Sequence, residues 1–250
     1  MKFYIIASGS KGNATLVADH DSVLLIDMGI TLKKLKDGLS STPYRFEDIR
    51  AVLFTHDHSD HLAGKDFFSL EQRYAAKGTC ETLPEHELKV YTTYDIEGFK
   101  VTVLPTSHDA VNPVGFVFEK KNEKLVYMTD TGYISERNLT YMKNAQYYIV
   151  ESNHNIKMLL KTNRPYDLIQ RILGDYGHLS NEDSAMYVSE MIGDNTREVV
   201  LAHLSEEANT PEVALAAYFR IFRKRLIDID KINIHAASQH QLVVGGNFED

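Results

Sequence analysis

The sequence predicts an α/β protein in which two sheets are flanked by helices. Short apolar runs recur along the chain, helical patterns alternate with them in the second half, and no linker, repeat or low-complexity tract interrupts the 250 residues. The hydrophobic content of 43% and the charged content of 25% fit a globular protein with a sizeable core. We therefore predict a single domain over residues 1–250.

Alternating or continuous apolar runs mark the predicted strands, and longer stretches with helical periodicity mark the predicted helices. The strands are predicted near residues 2–7, 13–18, 22–27, 51–55, 88–93, 99–105, 114–119, 124–129, 146–150, 198–202, 231–236 and 240–245. The helices are predicted near residues 31–39, 64–76, 135–144, 166–173, 181–192 and 210–226.

Composition limits the classes of function that the chain can serve. Its formal net charge of −8 disfavours a broad electropositive nucleic-acid surface, although local basic patches stay open. No apolar run approaches the roughly 20 residues that span a bilayer, and the first residues predict a strand rather than a signal peptide. Cys80 is the only cysteine, so no intrachain disulfide can form. We expect a cytoplasmic protein with no membrane partner.

Four metal-ligand side chains crowd together directly after the apolar run Ala51–Phe54, which predicts a buried strand. Because side chains alternate along a strand, His56 and His58 point to the same side. The turn that follows can bring Asp60 and His61 back towards them. Imidazole and carboxylate groups at this density suit Zn²⁺ or a neighbouring first-row metal.

Three more candidate ligands each follow an apolar run that predicts a strand. They are His108, Asp130 and His203. A single histidine after a strand can be an ordinary polar loop residue, and Asp130 could form an Asx turn before Gly132. An aspartate at the end of an apolar strand is costly to bury unpaired, however, and two cations would explain it.

The pattern His-x-His-x-Asp-His resembles the signature of the metallo-β-lactamase fold superfamily. The resemblance implies a four-layer αββα sandwich with one mixed sheet from each of two pseudo-halves, about 1–120 and 121–250. It also implies two divalent metal ions at the rim between the sheets, with a bridging hydroxide that Asp60 helps to orient. The first ion would take His56, His58, His108 and Asp130, and the second would take Asp60, His61, Asp130 and His203.

Two further segments of the first half resemble parts of the same fold. Asp27 follows the apolar run Leu24–Ile26 and is expected to orient the ligand loop by hydrogen bonds. The glycine loop Ser8–Asn13 indicates only a turn by itself, but in related enzymes it borders the site. Asn13 is therefore expected to touch substrate or to brace the ligands.

The segment Gly177–Ala185 bears on the choice of chemistry. Ser180 is predicted to cap the helix that follows, and His178 could be an ordinary loop residue. The segment resembles a Gly-His-x-Ser/Thr-x-x-x-Ala motif of nuclease and phosphodiesterase branches of the superfamily. That resemblance implies that His178 stabilises the phosphate or protonates the leaving oxygen. A phosphodiester needs this help because its leaving alkoxide is poor.

Glu151 and His154 follow another predicted strand. Glu151 could orient His178 as a carboxylate–histidine pair, and His154 could contact a phosphate, although both could also be solvated loop residues. His154, Asn13 and Ser180 form the predicted substrate-binding set.

The motifs as a set resemble the YycJ/WalJ/VicX family. They include Ser-Gly-Ser-x-Gly-Asn, Thr-Asp-Thr-Gly, Glu-Ser-Asn-His and Gly-His-Leu-Ser-Asn. The family implies a 5′ to 3′ DNA exonuclease, with zinc or manganese as the metal and DNA favoured over RNA as the substrate. It also implies a functional link to a two-component cell-wall regulatory system.

Two other classes of function stay open. A carbonyl hydrolase of the thioesterase or lactamase kind would use the same metals, and a non-catalytic regulatory protein would keep them for stability. The acidic net charge is at odds with DNA binding, which depends on basic groups that displace counterions from phosphates. A local groove lined by Lys11, Lys157, Lys161 or Arg164 could supply that positive charge.

Overall fold

The strands of the computed structural model form two sheets of seven strands each within residues 1–20 and 22–247, the part of the chain that the structure describes. Asp21 and residues 248–250 belong to the predicted 1–250 domain but lie outside the described residues. Both sheets are mixed, as expected for an α/β sandwich.

The first sheet has the strand order β14-β1-β2-β3-β4-β5-β6. Its strands are β1 (Lys2–Ala7), β2 (Ala14–Asp19), β3 (Ser22–Ile26), β4 (Ile49–Phe54), β5 (Arg73–Ala76), β6 (Glu87–Leu88) and β14 (Val243–Gly246). Pairing is antiparallel from β14 to β3 and parallel from β3 to β6.

The second sheet has the strand order β13-β12-β11-β10-β9-β8-β7. Its strands are β7 (Thr93–Ile96), β8 (Phe99–Pro105), β9 (Val114–Lys120), β10 (Glu123–Met128), β11 (Tyr147–Glu151), β12 (Glu198–Ala202) and β13 (Asn233–Ala236). Pairing is antiparallel from β7 to β10 and parallel from β10 to β13.

One apolar core fills the space between the two sheets. Period-two alternation turns Phe3 and Ile5 of β1 and Phe116 and Phe118 of β9 into it, where all four are fully buried. A one-residue slip would turn these side chains to the other face of their sheet, so the core fixes the register of each strand. It thereby fixes the positions of the residues that follow the strand ends.

Helices cover the outer faces of both sheets, which confirms the predicted αββα order of layers. They are α1 (Leu32–Leu39), α2 (Ser59–Leu62), α3 (Glu136–Met142), α4 (Ile156–Leu159), α5 (Tyr166–Leu173), α6 (Asn181–Met191) and α7 (Pro211–Lys224). Leu35 and Leu39 pack α1 on the first sheet, while α3, α6 and α7 pack on the second.

Hydroxyl side chains begin four of these helices. The side chains of Thr31, Ser135, Ser180 and Thr210 each accept a hydrogen bond from the backbone N–H three residues later. Such a cap stabilises a helix by about 1 kcal/mol. The predicted capping role of Ser180 is confirmed.

The predicted helix at 64–76 is wrong. Short 3₁₀ turns occupy Lys65–Phe67 and Leu70–Gln72, and the end of the segment is β5, which pairs parallel with β4. The Arg73 guanidinium also donates two hydrogen bonds to the Phe68 carbonyl oxygen, at 2.8 and 3.0 Å. Pairing along a buried strand edge outweighs the intrinsic preference of these residues.

The boundary between the sheets also differs from the prediction. The predicted strand 88–93 is split, because β6 ends at Leu88 and β7 begins at Thr93. Between them Tyr91 has a φ of 59° and its N–H donates to the Val103 carbonyl oxygen at 2.7 Å. The chain thus passes to the second sheet here rather than near residue 120, and β14 returns to the first sheet. The short helix α4 was not predicted.

Candidate metal centre

The seven predicted ligands lie in segments that follow strand ends and meet at one rim of the sandwich. They are His56, His58, Asp60 and His61 after β4, His108 after β8, Asp130 after β10 and His203 after β12. His58 and Asp60 are half-buried and the other five are buried. The one-turn helix α2 brings Asp60 and His61 back towards the strand end.

The donor atoms fall into overlapping groups, within each of which they lie no more than 4.8 Å apart. The groups are His56, His58 and His108; Asp60, His61 and His203; His56, His61 and Asp130; and Asp130, Glu151, His178 and His203. Asp130 therefore lies between the two histidine sets, where a carboxylate shared by two ions would have to be. The assignment of individual ligands to individual ions stays a prediction.

Three buried donor atoms in this cluster have no hydrogen-bond partner. They are Nε2 of His56, Nε2 of His203 and Oδ2 of Asp130. Leaving a buried polar atom unpaired costs about 1–3 kcal/mol, so such atoms normally mark a missing water or ion. Nitrogen and carboxylate donors with free lone pairs are the set that divalent first-row metals take, and the residues present fit such ions.

The backbone at two candidate ligands and at Asp27 is held in the left-handed region. Asp27, Asp130 and His203 have φ values of 59°, 54° and 55°, each directly or closely after a strand. Such conformations cost about 1–3 kcal/mol for residues other than glycine and persist where the surroundings enforce them. Here they turn the side chains from the strand ends into the rim.

Opposite charges in the cluster shift its protonation. Burial alone would raise the pKa of Asp130, but His203 and His61 hold it well below its ordinary range. Burial alone would likewise lower the pKa of both imidazoles. Asp130 together with Asp27 raises the pKa of His61 to about 9, and Asp130 together with Glu151 raises that of His203 to about 10. Burial lowers the pKa of His56, assisted by His61. Without a metal, the His61 and His203 rings are therefore protonated on both nitrogens and positively charged at neutral pH.

Asp27 is hydrogen-bonded to His61, and its role in orienting the ligand loop stays a prediction. It is fully buried, and its Oδ2 accepts a hydrogen bond from His61 Nδ1 at 2.8 Å, which leaves Nε2 facing the cluster. The Thr55 N–H and hydroxyl also donate to Asp27, at 2.8 and 2.9 Å. On the opposite side, His108 Nδ1 donates to the Gly177 carbonyl oxygen at 3.1 Å and turns its Nε2 towards His58.

Asn13 lies in the glycine loop under the ligand segment. Its amide nitrogen donates to the carbonyl oxygen of Gly9 at 3.1 Å and lies 2.9 Å from His61 Nε2, and its backbone N–H donates to the Asp60 carbonyl oxygen at 2.8 Å. The loop needs glycine, because Gly9 and Gly12 have φ values of 142° and 128°. Since Asn13 is only 1% exposed, the geometry favours bracing of the ligands over contact with substrate.

Glu151 joins two histidines. Its Oε1 accepts hydrogen bonds from His178 Nδ1 at 2.8 Å and from His203 Nδ1 at 2.9 Å, while Oε2 accepts the N–H of Thr131 at 2.9 Å. Burial would raise the pKa of Glu151, but His178 and then His203 lower it to about 2. The ionised carboxylate fixes both rings with Nε2 pointing away from it, so one residue positions a candidate ligand and a candidate acid.

His154 and Ser180 are both buried, which disfavours direct contact with substrate. The Ser180 hydroxyl is buried and engaged with Asp183, whose N–H it caps at 3.1 Å and whose carboxylate it contacts at 2.6 Å. His154 is 1% exposed, its Nδ1 lies 3.3 Å from Asn153 Oδ1, and burial lowers its pKa to about 4. Their substrate-binding roles stay predictions.

Several contributors were not recognised from the sequence. Thr55 ties Asp27 to the motif, Asn153 donates to the His203 carbonyl oxygen at 2.9 Å, and Ser8 accepts the His203 N–H at 2.8 Å. Arg171 pairs with Asp109 at 2.7 Å beside His108. Thr55 directly precedes His56, and Ser8 and Asn153 lie within recognised motifs, so these three carried a local signal while Arg171 did not.

Comparison with known proteins agrees with this geometry. Residues 23–204 match the family model described as a beta-lactamase superfamily domain. The chain is also 36% identical over 233 residues, 85% of each chain, to exodeoxyribonuclease WalJ of Streptococcus pneumoniae serotype 2. The chain belongs to the beta-lactamase superfamily and, within it, to the WalJ/YycJ family. This confirms the family predicted from the motifs.

Other relatives extend the comparison. Exodeoxyribonuclease YycJ of Bacillus anthracis is 32% identical over 238 residues, 90% of each chain. The crystal structure of the metallo-beta-lactamase fold protein YhfI from Bacillus subtilis matches with a TM-score of 0.67 at 18% identity. That match covers 98% of this chain and 99% of the other, and it shows the shared fold. In the described part of the chain, no helix has the length and apolar character to cross a bilayer.

Replacing Glu151 with Gln should weaken metal binding by about 10- to 100-fold, the usual effect of losing a group that orients a metal-bound histidine. Gln removes the charge that holds the Nδ1 protons of His178 and His203. Isothermal titration with Zn²⁺ measures the change. Glu206→Gln is the matched control, because Glu206 is an exposed carboxylate that pairs with Lys11 and His240. Equal affinity in Glu151→Gln and the control would show that Glu151 does not orient the site.

Metal binding at neutral pH should release protons. The pKa values of His61 and His203, about 9 and about 10, mean that protons compete with metal below those values. Affinity should therefore rise from pH 6 to pH 8, by about tenfold per unit for each proton displaced. Calorimetry in two buffers of different ionisation enthalpy counts the protons, with His240→Ala as an unaffected control. A titration without proton release at pH 7 would contradict the charge distribution.

Proposed function

We propose that this protein is a metal-dependent phosphodiesterase that degrades DNA stepwise from the 5′ end. The relatives that match most of its length are named exodeoxyribonucleases. The observation that carries the proposal is the His178–Glu151 pair, with Nδ1 and Oε1 2.8 Å apart, beside the metal cluster. The His178 ring centroid lies 4.9 Å from that of His108 and 5.3 Å from that of His203.

This pair suits a phosphodiester better than a carbonyl substrate. The leaving alkoxide of a phosphodiester needs a proton in the transition state, and a positioned acid typically contributes about 10²- to 10⁴-fold in rate. Glu151 accepts the Nδ1 hydrogen of His178, whose side chain stays 17% exposed. Among the buried members of the cluster, His56, His61 and His203 are no more than 3% exposed and have no such access to solvent.

Two divalent ions, zinc or manganese, are part of the proposal. His56, His58 and His108 would hold one, Asp60, His61 and His203 the other, and Asp130 would be shared. When bound, such ions lower the pKa of a coordinated water to about 7 and offset the negative charge of a phosphate.

Three side chains of the protein would then have separate roles in the reaction. Asp60, whose side chain is 25% exposed, lies with Oδ2 3.5 Å from His61 Nε2 and is placed to orient the attacking water. His178 would deliver the proton to the leaving oxygen from Nε2. Glu151 would hold the Nδ1 proton of His178 and stabilise its charge.

DNA rather than RNA, a cytoplasmic location and a link to a two-component cell-wall regulatory system complete the proposal. Two of the expected groove cations are paired: Lys11 with Glu206 at 2.6 Å and Arg164 with Glu207 at 3.0 Å. Lys157 on α4 and Lys161 just after it are exposed. The footprint on DNA would therefore be small, and cleavage would weaken as salt rises.

The direct test is digestion of 5′-phosphorylated, end-labelled duplex DNA with Mn²⁺ or Zn²⁺. We expect stepwise shortening from the 5′ end, abolished in His58→Ala, which removes a candidate ligand. His178→Ala should keep its metal but cut about 10²- to 10⁴-fold more slowly. The loss should be much smaller on a p-nitrophenyl phosphodiester, because that leaving group needs no proton.

Intact DNA in the presence of folded, metal-loaded protein would contradict the exonuclease proposal. Turnover of thioesters or lactams instead would favour the carbonyl hydrolase alternative. A His178→Ala loss of equal size on the p-nitrophenyl substrate would contradict the role of His178 as the acid.

A further inference from the structure

A cleft of about 230 Å³ opens beside the metal centre and takes no part in the chemistry described so far. Tyr91, Tyr133 and Tyr176 line it together with Ser107 and Asn138. Tyr133 and Tyr176 are 45% and 67% exposed. A single exposed tyrosine is ordinary, but two at one cleft beside an active site indicate a surface prepared for a ligand.

The cleft is attached rigidly to the loops that carry the candidate catalytic groups. Tyr133 comes three residues after Asp130, and Tyr176 comes two residues before His178. The Thr131 hydroxyl accepts the Ser107 N–H at 3.0 Å and donates to the Tyr133 carbonyl oxygen at 2.7 Å. A ligand in the cleft would thus have a fixed position relative to the metals.

Contacts within the protein fix the side chains that form the inner wall of the cleft. The Arg137 guanidinium lies 3.5 Å from the centroid of the Tyr91 ring, and the Tyr91 hydroxyl donates to Asn138 Oδ1 at 3.1 Å. The Asn138 amide donates to the Pro105 carbonyl oxygen at 2.7 Å. These contacts hold Tyr91 in place and put a positive charge next to the aromatic surface.

The size and chemistry of the cleft fit one aromatic ring system. Its volume is below the roughly 300–1,000 Å³ of pockets for drug-sized ligands, so a whole nucleotide would not fit inside. Tyrosine faces accept any of the four bases by stacking, without hydrogen bonds to base edges. An enzyme that removes nucleotides in turn needs this tolerance.

We propose that this cleft is a nucleobase-binding site, in which Tyr133 and Tyr176 stack on a base next to the phosphate held at the metal centre. The inference rests on the proposed function and adds a binding site that would set the position of the DNA strand. The base would anchor the strand so that one phosphate at a time reaches Asp60 and His178.

The test uses metal-loaded protein in a His178→Ala background, which slows cleavage, and 5′-phosphorylated oligonucleotides with the fluorescent base 2-aminopurine at the first or second position. Stacking quenches this base, so we expect quenching at one of the two positions. Tyr133→Ala with Tyr176→Ala should abolish the quenching and weaken binding by about 5- to 150-fold. Tyr133→Phe with Tyr176→Phe keeps the rings and should keep both properties. Tyr166→Ala, at an exposed tyrosine on α5 that does not line the cleft, is the second control.

Absence of quenching at both positions, or equal quenching in the double alanine variant, would overturn the base-binding site. The two proposals fail separately. Digestion by the wild-type protein without quenching would reject only the cleft. Quenching that depends on the tyrosines, with DNA that the wild-type protein leaves intact, would reject the exonuclease and keep the base-binding site.

Discussion

The buried carboxylate of Asp130 is the constraint on which the rest of the site depends. It is 3% exposed, it lies within 3.4 Å of both His61 and His203, and its Oδ2 has no hydrogen-bond partner. The effective cost of burying an unpaired charge is several kcal/mol, so the fold can keep Asp130 there only by surrounding it with positive charge. Imidazolium rings supply that charge without metal, and cations would supply it with metal. The imidazole groups, their orienting carboxylates and the strained strand ends all follow from this requirement.

The sandwich delivers these groups because its core fixes strand register. The candidate ligands follow β4, β8, β10 and β12, which are distant in sequence and belong to two sheets. Each sheet changes from antiparallel to parallel pairing at an inner strand, β3 or β10, and Asp27 and Asp130 follow those two strands in left-handed conformations. The same rim carries the Glu151 pair and the tyrosine cleft. This one rigid rim would therefore set metal binding, proton delivery and the position of the DNA strand.

The parts of this arrangement that a sequence can predict are those that depend on local pattern. The ligand motif and the strand-end positions of His108, Asp130 and His203 were recognisable because residue type and strand period appear along the chain. The pairing of 73–76 with β4 was not, because a helical pattern and a short buried strand look alike until the partner strand is known. The sharing of Glu151 between His178 and His203 was only half predicted, since hydrogen bonds between distant loops leave no local signal. The cleft was missed for the same reason: its tyrosines come from three separate loops.

The central claim is that the unpaired donors around Asp130 hold two ions. Anomalous diffraction from crystals soaked in Zn²⁺ or Mn²⁺ tests it most directly. The account predicts two anomalous peaks, about 3.5–4 Å apart, one on each side of the Asp130 carboxylate. One peak would lie among His56, His58 and His108, and the other among Asp60, His61 and His203. A single peak, or peaks only at surface carboxylates, would contradict the account.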